Sequence, residues 1–573
     1  MSISVFCVFL SVCSGQISDV LPPELTNKSE VSNSSTEKHN ASIILNTLKA
    51  FPTAEGAGAG ATGGRGGKAV YVTNNHEKGP GSFFEAVTGY GNQKRTILFA
   101  VGGRFNISTW EWQENKGNFT LAGQTAQGLG GVHLISIPYH DGSDGSPYAD
   151  SLKSNPNGSL YLTHGNNMII RYLDAKGGWE SGTNVENRFN AFGTQRCTNV
   201  IYDHYSSGFS SYLLKIGGFN KNNGKEGNIT VQYSLGHEGI LGQNLGFSLG
   251  SYLRFMDEGL TDSEKIEQWR KGSGQTDIHH NAFILLTHRQ TGNVHAGDSG
   301  RYKKINNYVY GIGSRLDSVV GRSKIDYVNN VYEAANRGDD ITVNELHKFE
   351  VSYLESQRDI LQETLTTSLF FKGNQVIKQN GSDLINEKDD QWQMVQMKFD
   401  QELRYPDNNS PLYGLSNHDA VPKKSPYYRT SPIPVGKYPI TLMPTNKVKK
   451  HVLLNAGAGV RFNIDGTVFN QDEIDQRYIN YALSNSSPST YLGDTNRFSI
   501  PKYTSKSIDL DTFDADRDGL PDAWETKHKV SDANSIKENW IIQGYTIKNL
   551  AGYTNLEMYL AELAGDFHIL SKK

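Results

Sequence analysis

Between residues 167 and 335 the chain repeats one short pattern, in which an asparagine precedes a run of alternating β-forming residues. The first copies begin at Asn167, Asn199 and Asn228, about thirty residues apart. Related segments follow at 277–283, 305–309 and 328–332. Short strands at this period, separated by Asn and Gly, are typical of the stacked coils of a parallel β-helix, where Asn side chains hydrogen-bond along the stack. A β-propeller is the alternative, but its blades need about forty residues each, which the spacing disfavours.

The composition favours a turn-rich β protein over a helical one. Of 573 residues, 59 are glycine, and hydrophobic residues make up only 36%. A chain of this length forms either one large elongated fold or about two to three domains. The formal net charge of −4 excludes a global field that would attract nucleic acid or an anionic membrane. We therefore expect a monomer without nucleic-acid or membrane partners, and a polyanionic substrate would need a local cationic or calcium-lined site.

The N-terminus indicates export. Residues 1–15 are apolar and end in small residues, with Cys13 and Gly15 at the positions that precede a signal-peptide cleavage site. A buried strand is the alternative, but residues 16–48 are rich in Ser, Asn, Glu and Lys and are predicted to form a linker. We therefore expect a secreted protein. Cleavage of the leader would leave Cys197 alone in the mature chain, so stability must come from the core and from metal rather than from intrachain disulfides.

A glycine-dense segment runs from Gly56 to Gly67. A loop that cradles phosphate is one interpretation, but no Gly-Lys-Ser/Thr follows and no clear strand-to-helix pattern surrounds the segment. The sequence therefore predicts a tight surface turn here.

The stretch from Asp514 to Glu525 has the pattern of a complete calcium loop. Side-chain oxygens fall at loop positions 1, 3, 5, 9 and 12, and position 7 contributes a main-chain carbonyl. The six predicted ligand residues are Asp514, Asp516, Asp518, Leu520, Asp522 and Glu525. Gly519 stands at position 6, where the backbone must turn sharply. The alternative is a solvated acidic turn, but a chance acidic run seldom has both this glycine and the terminal glutamate. We expect one Ca²⁺ with a structural role.

Several further motifs extend over most of the mature chain. They are Phe51-Pro52, Thr62–Gly67, Gly79–Ser82 before Glu85-Ala86, Leu121–Ala126, Asn199–Ser206, His279-His280-Asn281, Asn306-Asn307, Asp522–Glu525 and Gly552–Glu557. With these motifs the chain resembles the secreted pectate lyases of the first polysaccharide lyase family, in the form that has a C-terminal calcium loop. The resemblance implies an all-β, right-handed, single-stranded parallel β-helix over residues 49–437. It also implies a small α-helical region with an EF-hand-like loop over residues 438–573.

The resemblance implies a chemistry as well. Pectate lyases cleave polygalacturonate by β-elimination, in which removal of the C5 proton builds negative charge on the adjacent carboxylate, so that calcium or a cationic side chain must stabilise it. The base of the family is an arginine shortly after a His-Asn pair, and Arg289 occupies that place after His280-Asn281. An arginine is normally protonated, so this role requires burial or neighbouring cations. A surface arginine paired with an acid is the alternative.

The same resemblance assigns a calcium site and substrate contacts on the β-helix. Asp203 matches a calcium-binding aspartate of the family, and Glu238 matches a glutamate found in some members. Lys215 or Arg301 would contact an acidic glycan. Two rival hypotheses remain. One is a lyase for another uronate polymer, in which Lys215 replaces calcium, and the other is a non-catalytic β-helix that binds glycans.

Overall fold

The protein is described by a computed structural model that covers most of the chain from Ser42 to Lys572. The described residues are 42–108, 110–114, 117–137, 159–177, 190–210, 212–216, 227–239, 245–249, 261, 263, 274–286, 293–294, 300–311, 316–320, 323–335, 349–352, 368–398, 420–423, 428–488 and 500–572.

The chain winds through three sheets in turn, one strand of each sheet per coil. The first sheet has ten parallel strands. They are β2 (Lys68–Val72), β3 (Arg95–Phe99), β6 (Phe119–Ala122), β9 (Asn166–Arg171), β12 (Thr198–Asp203), β15 (Gly227–Gln232), β18 (Gln275–His279), β21 (Arg301–Ile305), β24 (Lys324–Val328) and β27 (Ser368–Lys372). Because each strand pairs with the strand one coil earlier and one coil later, this is the predicted parallel β-helix.

The second sheet also has ten strands, and its last strand is antiparallel to the others. They are β4 (Gly103–Ile107), β7 (Val132–Ser136), β10 (Asp174–Gly177), β13 (Ser206–Gly208), β16 (Leu235–His237), β19 (Ala282–Ile284), β22 (Tyr308–Tyr310), β25 (Val331–Glu333), β28 (Gln375–Ile377) and β29 (Asp383–Ile385). The third side consists of a three-stranded and a six-stranded sheet. Its strands are β5 (Trp110–Glu114), β8 (Ser159–Thr163) and β11 (Phe192–Gln195), then β14 (Tyr212–Ile216), β17 (Leu245–Leu249), β20 (Asn293–Val294), β23 (Asp317–Val320), β26 (Phe349–Ser352) and β30 (Val395–Lys398).

Side chains at alternate strand positions fill the interior of the coils. Tyr202 of β12 lies level with Ile170 of β9 and Val231 of β15, and all three are fully buried. Such stacks of apolar side chains form one continuous core, since neighbouring coils are about 4.8 Å apart. The core also contains a buried ion pair, between Lys304 of β21 and Asp317 of the third sheet, and both side chains are fully buried.

Asparagine ladders run along two edges of the first sheet, as the repeat predicted. At the strand starts, Asn167 donates to Asn118 (3.0 Å) and Asn228 donates to Asn199 (3.1 Å). These four asparagines have positive φ, which Asn tolerates better than most residues. At the turn into the second sheet, the amides of Asn281, Asn307, Asn330 and Asn374 bond in sequence from coil to coil. The Asn-based repeats therefore mark coil corners.

Helices and two small sheets cover the outside of the coils. The helices are α1 (Phe83–Thr88), α2 (Thr445–Asn455), α3 (Glu473–Leu483), α4 (Leu510–Phe513), α5 (Asp522–His528), α6 (Asn555–Leu563) and α7 (Asp566–Leu570). Short 3₁₀ helices lie at Ala57–Gly60, Gly123–Leu129 and Gln391–Met394. The small sheets are β31 (Val460–Phe462) with β32 (Val468–Asn470), and β1 (Ser42–Leu45) with β34 (Tyr545–Asn549) and β33 (Asn539–Ile542). Within the described residues, no helix is long and apolar enough to cross a membrane.

Two helices of the C-terminal region pack as their residue patterns require. In α3, Ile474, Tyr478 and Ala482 are spaced by one helical turn and are buried against the second sheet. In α6, Thr554 and Glu557 form a capping box, which fixes the start of the helix. Both helices therefore close over the coils rather than extend into solvent.

Two expectations about the N-terminal part were wrong in part. Residues 63–66 of the glycine-dense segment do form a turn, with Gly66 exposed. However, Gly56, Gly58 and Ala59 are buried on the outer face of the first sheet. A Cβ on Gly58 would lie 2.2 Å from the carbonyl oxygen of Val200, so only glycine permits this close approach. In addition, residues 42–45 of the expected linker form β1, which pairs with β34 near the C-terminus.

Candidate functional site

The acidic loop between α4 and α5 is the most complete candidate site. The side-chain oxygens of Asp514, Asp516 and Asp518 lie within 4.8 Å of one another. Gly519 turns the backbone with φ +106°, and a Cβ there would lie 3.0 Å from a methyl group of Leu98. The turn and the packing both require glycine, and they bring the acids that precede and follow it to one place.

The charges of this loop are not balanced by the protein. Among the described residues, Asp514 Oδ1 and Glu525 Oε1 are buried oxygens without a hydrogen-bond donor. Burial, together with repulsion from Asp518, Asp516, Asp522 and Asp514, raises the pKa of Glu525 to about 7. Burial is also the main cause of a raised pKa at Asp514. Hard oxygen ligands with unpaired charge suit Ca²⁺, so the residues fit the ion that the sequence predicted.

The remaining predicted ligands lie in the same loop. Asp522 Oδ1 accepts from the Ala515 amide at 3.0 Å, which links the two sides of the loop. Leu520, whose carbonyl is the predicted ligand at position 7, has a fully buried side chain in the C-terminal core. Its amide donates to Asp518 Oδ1 at 2.9 Å. The loop is therefore held in shape by bonds among the acids and their own backbone.

The loop also joins distant parts of the fold. Tyr71 of β2 donates its hydroxyl to Asp514 Oδ2 at 2.5 Å, and the amide of Ala533 donates to Asp518 Oδ2 at 2.7 Å. On the following helix α5, Trp524 Nε1 donates to Glu562 of α6 at 2.7 Å. A cation in this loop would therefore stabilise the contact between the first coils and the C-terminal helices.

Asp203 does not lie in an open site. It ends β12 and is fully buried on the outer face of the first sheet. Its Oδ2 accepts from Arg171 Nε at 2.8 Å, and its Oδ1 accepts from Gln232 Nε2 at 2.8 Å. Burial alone would raise the pKa of Asp203, but His204 and Arg171 outweigh it and hold the pKa well below its usual range. Asp203 is thus a paired structural carboxylate.

Glu238 has its own partners on another sheet, and the predicted calcium site on the β-helix stays a prediction. It follows β16 of the second sheet and is buried beneath α3. Tyr478 of α3 donates its hydroxyl to Glu238 Oε2 at 2.6 Å. Asp203 and Glu238 therefore have separate partners on separate sheets. The matching sequence motifs did not show this, because the partners that define each carboxylate are far away in the chain.

The predicted substrate contacts lie on two different sheets. Lys215 belongs to β14 of the third sheet, level with Ser248 of β17, which in turn is level with Asn293 of β20. Arg301 begins β21 of the first sheet and is exposed. Arg289 lies outside the described residues, in the sequence between β19 and β20. Lys215 is thus in register with Asn293, which lies two strands further along the third sheet.

Sequence reasoning missed a buried charged cluster and a lysine-lined cavity. His133 Nδ1 lies 2.7 Å from Asp174 Oδ2, and Lys176 Nζ lies 2.5 Å from Asp174 Oδ1 and 3.8 Å from Asp472 Oδ1. This cluster fastens α3 to the second sheet. Only Asp174 and Lys176, two charges that lie two positions apart on one strand, could have indicated it.

Comparisons with known proteins give related sequences and solved structures. A probable pectate lyase C of Aspergillus fumigatus is 31% identical over 200 residues, 35% of this chain and 39% of the relative. That of Neosartorya fischeri is 32% identical over 200 residues, again 35% and 39%. A shorter match, to the Aspergillus terreus protein, is 43% identical over 86 residues, 15% of this chain and 19% of the relative. The chain thus spans about two fifths of the curated relatives it matches. No family model matches the chain.

Solved structures similar to this chain include pectate lyases and a pollen allergen. The cedar-pollen allergen jun a 1 has 14% identity and a TM-score of 0.38, covering 70% of this chain and 92% of its own. A variant of Bacillus subtilis pectate lyase has 14% identity and a TM-score of 0.38, covering 72% and 98%. A pectate lyase bound to a hexasaccharide has 14% identity and a TM-score of 0.36, covering 72% and 98%.

Proposed function

We propose that this protein is a secreted polysaccharide lyase that cleaves an acidic, galacturonate-type glycan such as pectate by β-elimination. The observation that supports it most is the sequence similarity to pectate lyases C over about a third of the chain, in a protein whose strands form a parallel β-helix. The predicted leader at residues 1–15 supports export.

In the proposed reaction Arg289 removes the C5 proton of a uronate. The electrons of that C–H bond form the C4–C5 double bond, and the glycosidic oxygen leaves C4 and takes up a proton. Negative charge builds on the uronate carboxylate during this step, so a nearby cation lowers the barrier. Lys215 is the cation proposed for that role, and it belongs to β14 of the third sheet, the sheet that also contains β20. Arg301, exposed at the start of the strand that follows β20, is a second cationic contact.

We also propose that the C-terminal loop binds one Ca²⁺ that is structural rather than catalytic. The unpaired buried oxygens of Asp514 and Glu525 support this proposal. The loop contacts β2 and α6 through Tyr71 and Trp524, whereas Lys215 belongs to another sheet. Calcium would therefore act on stability.

The test is incubation of the purified protein with polygalacturonate while the ultraviolet absorbance of the unsaturated product is followed. Arg289→Lys should abolish turnover with folding intact, because lysine cannot copy the planar guanidinium. Arg104→Lys, a change on β4 of the second sheet, is the matched control and should retain activity. Turnover by Arg289→Lys close to that of the control would remove Arg289 from the mechanism.

The rival from another class is a glycan-binding β-helix without activity. One observation supports it, since the carboxylates of Asp203 and Glu238 are each hydrogen-bonded to a side chain of the protein. Glycan binding without turnover of any uronate polymer would support this rival. Turnover of a different uronate polymer, but not of polygalacturonate, would instead support a lyase of altered specificity.

A further inference from the structure

A cavity of about 470 Å³ lies on the outer face of the first sheet. Its floor is formed by β18, β21, β24 and β27, and its roof by residues 432–442. The cavity is on a different sheet from Lys215 and from β20, which follows Arg289. Of the residues proposed for the reaction, Arg301 begins β21 on the same sheet but does not line the cavity. A volume of this size falls within the usual range for sites that hold a small molecule, about 300–1,000 Å³.

The roof is a segment that hydrogen bonds fix on both sides of the cavity. We call residues 429–443 the covering segment. On one side, the amide of Ile433 donates to Asp326 Oδ2 at 2.8 Å. On the other, Thr441 donates through its amide and hydroxyl to Glu55 at 2.9 and 2.7 Å. Val435, Gly436 and Lys437 lie between these attachments and are exposed. The space beneath them is thus part of the folded architecture.

Lys303 is the charged side chain that sets the chemistry of this cavity. It is only 7% exposed, and its ammonium donates to the carbonyl oxygen of Pro434 at 2.9 Å. An ammonium has three hydrogens to donate, and among the described residues its hydrogen-bond partner is that carbonyl. Lys303 lies between two carboxylates, Asp277 and Asp326. Its hydrogen bond goes to the neutral oxygen of Pro434, however, so its ammonium retains hydrogens that an anionic ligand could accept.

The two carboxylates beside Lys303 are satisfied by other donors. By register, Asp277 and Asp326 are level with Lys303 on the neighbouring strands. Asp277 Oδ2 accepts from the amide of Ala57 at 2.8 Å and Oδ1 accepts from Gln275 at 2.8 Å. Asp326 is paired with Arg429 of the covering segment. Two more lysines, Lys372 and Lys437, line the cavity and are exposed, so the lining as a whole favours negative charge.

The rest of the floor is apolar. Ile305, Val328 and Phe370 lie on three successive strands and form one buried cluster, against which Ile440 of the covering segment packs. In the register, Phe370 is level with Asp326, and Val328 is level with Ile305. Ile305 lies two residues after Lys303 on β21, about 7 Å along the strand, so the apolar surface begins close to Lys303. A ligand that touches both needs an anionic group attached to a body with an apolar face.

We propose that this cavity binds a small organic carboxylate, whose anionic group contacts Lys303 and whose ring or chain lies on Ile305, Val328 and Phe370. Two sources share this chemistry. One is a uronic acid sugar, whose C–H face is apolar, and the other is an aromatic acid. The site does not depend on the proposed lyase activity, since it uses none of the residues assigned to that reaction.

The test is titration calorimetry and saturation-transfer NMR on the full chain with two acids and their neutral analogues. Galacturonate is compared with galactose, and benzoate with benzamide. At least one acid should bind, with an affinity at least about tenfold above that of its neutral analogue, because a charge-assisted hydrogen bond is lost in the latter. Binding by galacturonate alone identifies the sugar as the source, and binding by benzoate alone identifies the aromatic acid. Absence of binding by both acids, or equal affinities within each pair, would overturn the proposal.

Variants locate the binding. Lys303→Met keeps much of the side-chain volume without the charge and should weaken binding at least about tenfold. Lys68→Met removes an exposed lysine from β2 of the same sheet, outside the cavity, and should leave binding unchanged. Val328→Phe keeps Lys303 and fills the cavity, so it should abolish binding even if Lys303→Met fails to fold. Binding that survives Val328→Phe lies elsewhere and contradicts the proposal.

Discussion

Arg171 and Asp203 form a buried ion pair on the outer face of the first sheet, with 2.8 Å between Arg171 Nε and Asp203 Oδ2. The other edge of the guanidinium donates to both oxygens of Asp566 in α7, at 2.8 and 3.1 Å. Its carbon lies 3.7 Å from the ring centre of Phe51. One arginine therefore joins a coil to the N-terminal segment and to the last helix of the chain.

Removing this arginine should destabilise the whole fold. Arg171→Met removes the guanidinium from Asp566 and leaves Asp203 paired with His204, and breaking comparable buried pairs costs about 3–5 kcal/mol. Urea unfolding followed by circular dichroism measures the change. The control is Lys423→Met, which breaks an exposed ion pair with Asp390 (3.0 Å) and should leave the urea midpoint nearly unchanged. Equal midpoints for the two variants would show that Arg171 contributes no more than a surface charge.

The coil architecture could be predicted because its signal is local and periodic. Asn167, Asn199 and Asn228 each start a strand, and stacked coils repeat the same requirement at every corner. The calcium loop was equally visible, since its ligands lie within a dozen neighbouring residues from Asp514 to Glu525. The binding of Ca²⁺ itself stays a prediction, as do the roles of Arg289, Lys215 and Arg301.

The role of a single charged residue could not be predicted in the same way. Asp203 sits in a motif that resembles a ligand, but Arg171 and Asp566, its neighbours in the network, lie far away in sequence. Lys303 and Lys304 show the same limit. They are adjacent on one strand, so one faces the core and the other the cavity, and the alternation alone does not say which. Their environments depend on Asp317 and Pro434, which lie in later parts of the chain.

Calcium should stabilise the protein through the C-terminal loop. At a calcium concentration about 100 times the dissociation constant, binding adds about 2.7 kcal/mol to the free energy of unfolding. Glu525→Gln should reduce the calcium-dependent rise in Tm, because it removes a charged ligand. Differential scanning calorimetry in calcium and in chelator measures both effects. Asp509→Asn, an exposed acid before α4, is the control. A wild-type Tm that is the same in calcium and in chelator would refute the structural role.

An asparagine of the ladder should contribute more to the free energy of unfolding than an exposed asparagine does. Asn307 Nδ2 donates to the carbonyl oxygen of Ile278 at 2.9 Å, and its Oδ1 accepts from the amide of Asn281 at 3.1 Å. Asn307→Ala leaves both buried backbone groups without their partners, which costs about 1–3 kcal/mol for each group. Urea unfolding compares it with Asn75→Ala, an exposed change that should cost less than about 0.5 kcal/mol. A similar loss of stability in Asn307→Ala and Asn75→Ala would mean that water replaces the hydrogen bonds of the ladder.

Asp277 should make stability depend on pH between its two pKa values. Burial raises its pKa in the folded protein from 3.8 to about 6. Between these values the folded protein holds a proton that the unfolded chain has released, so the stabilising contribution of Asp277 falls as the pH rises through this window and is constant above it. Asp277→Asn removes the effect, and its stability relative to wild type should rise by up to about 3 kcal/mol from pH 4 to pH 7.

The measurement for Asp277 is urea unfolding of wild type and variant at both pH values. The difference between the two proteins isolates this carboxyl, because all other titrating groups are shared. Asp383→Asn, at an exposed residue whose carboxylate accepts from Gln375 at 2.7 Å, is the control for replacing any surface aspartate. If the Asp277→Asn difference does not change with pH, or falls as the pH rises, then Asp277 is ionised in the folded protein across this range.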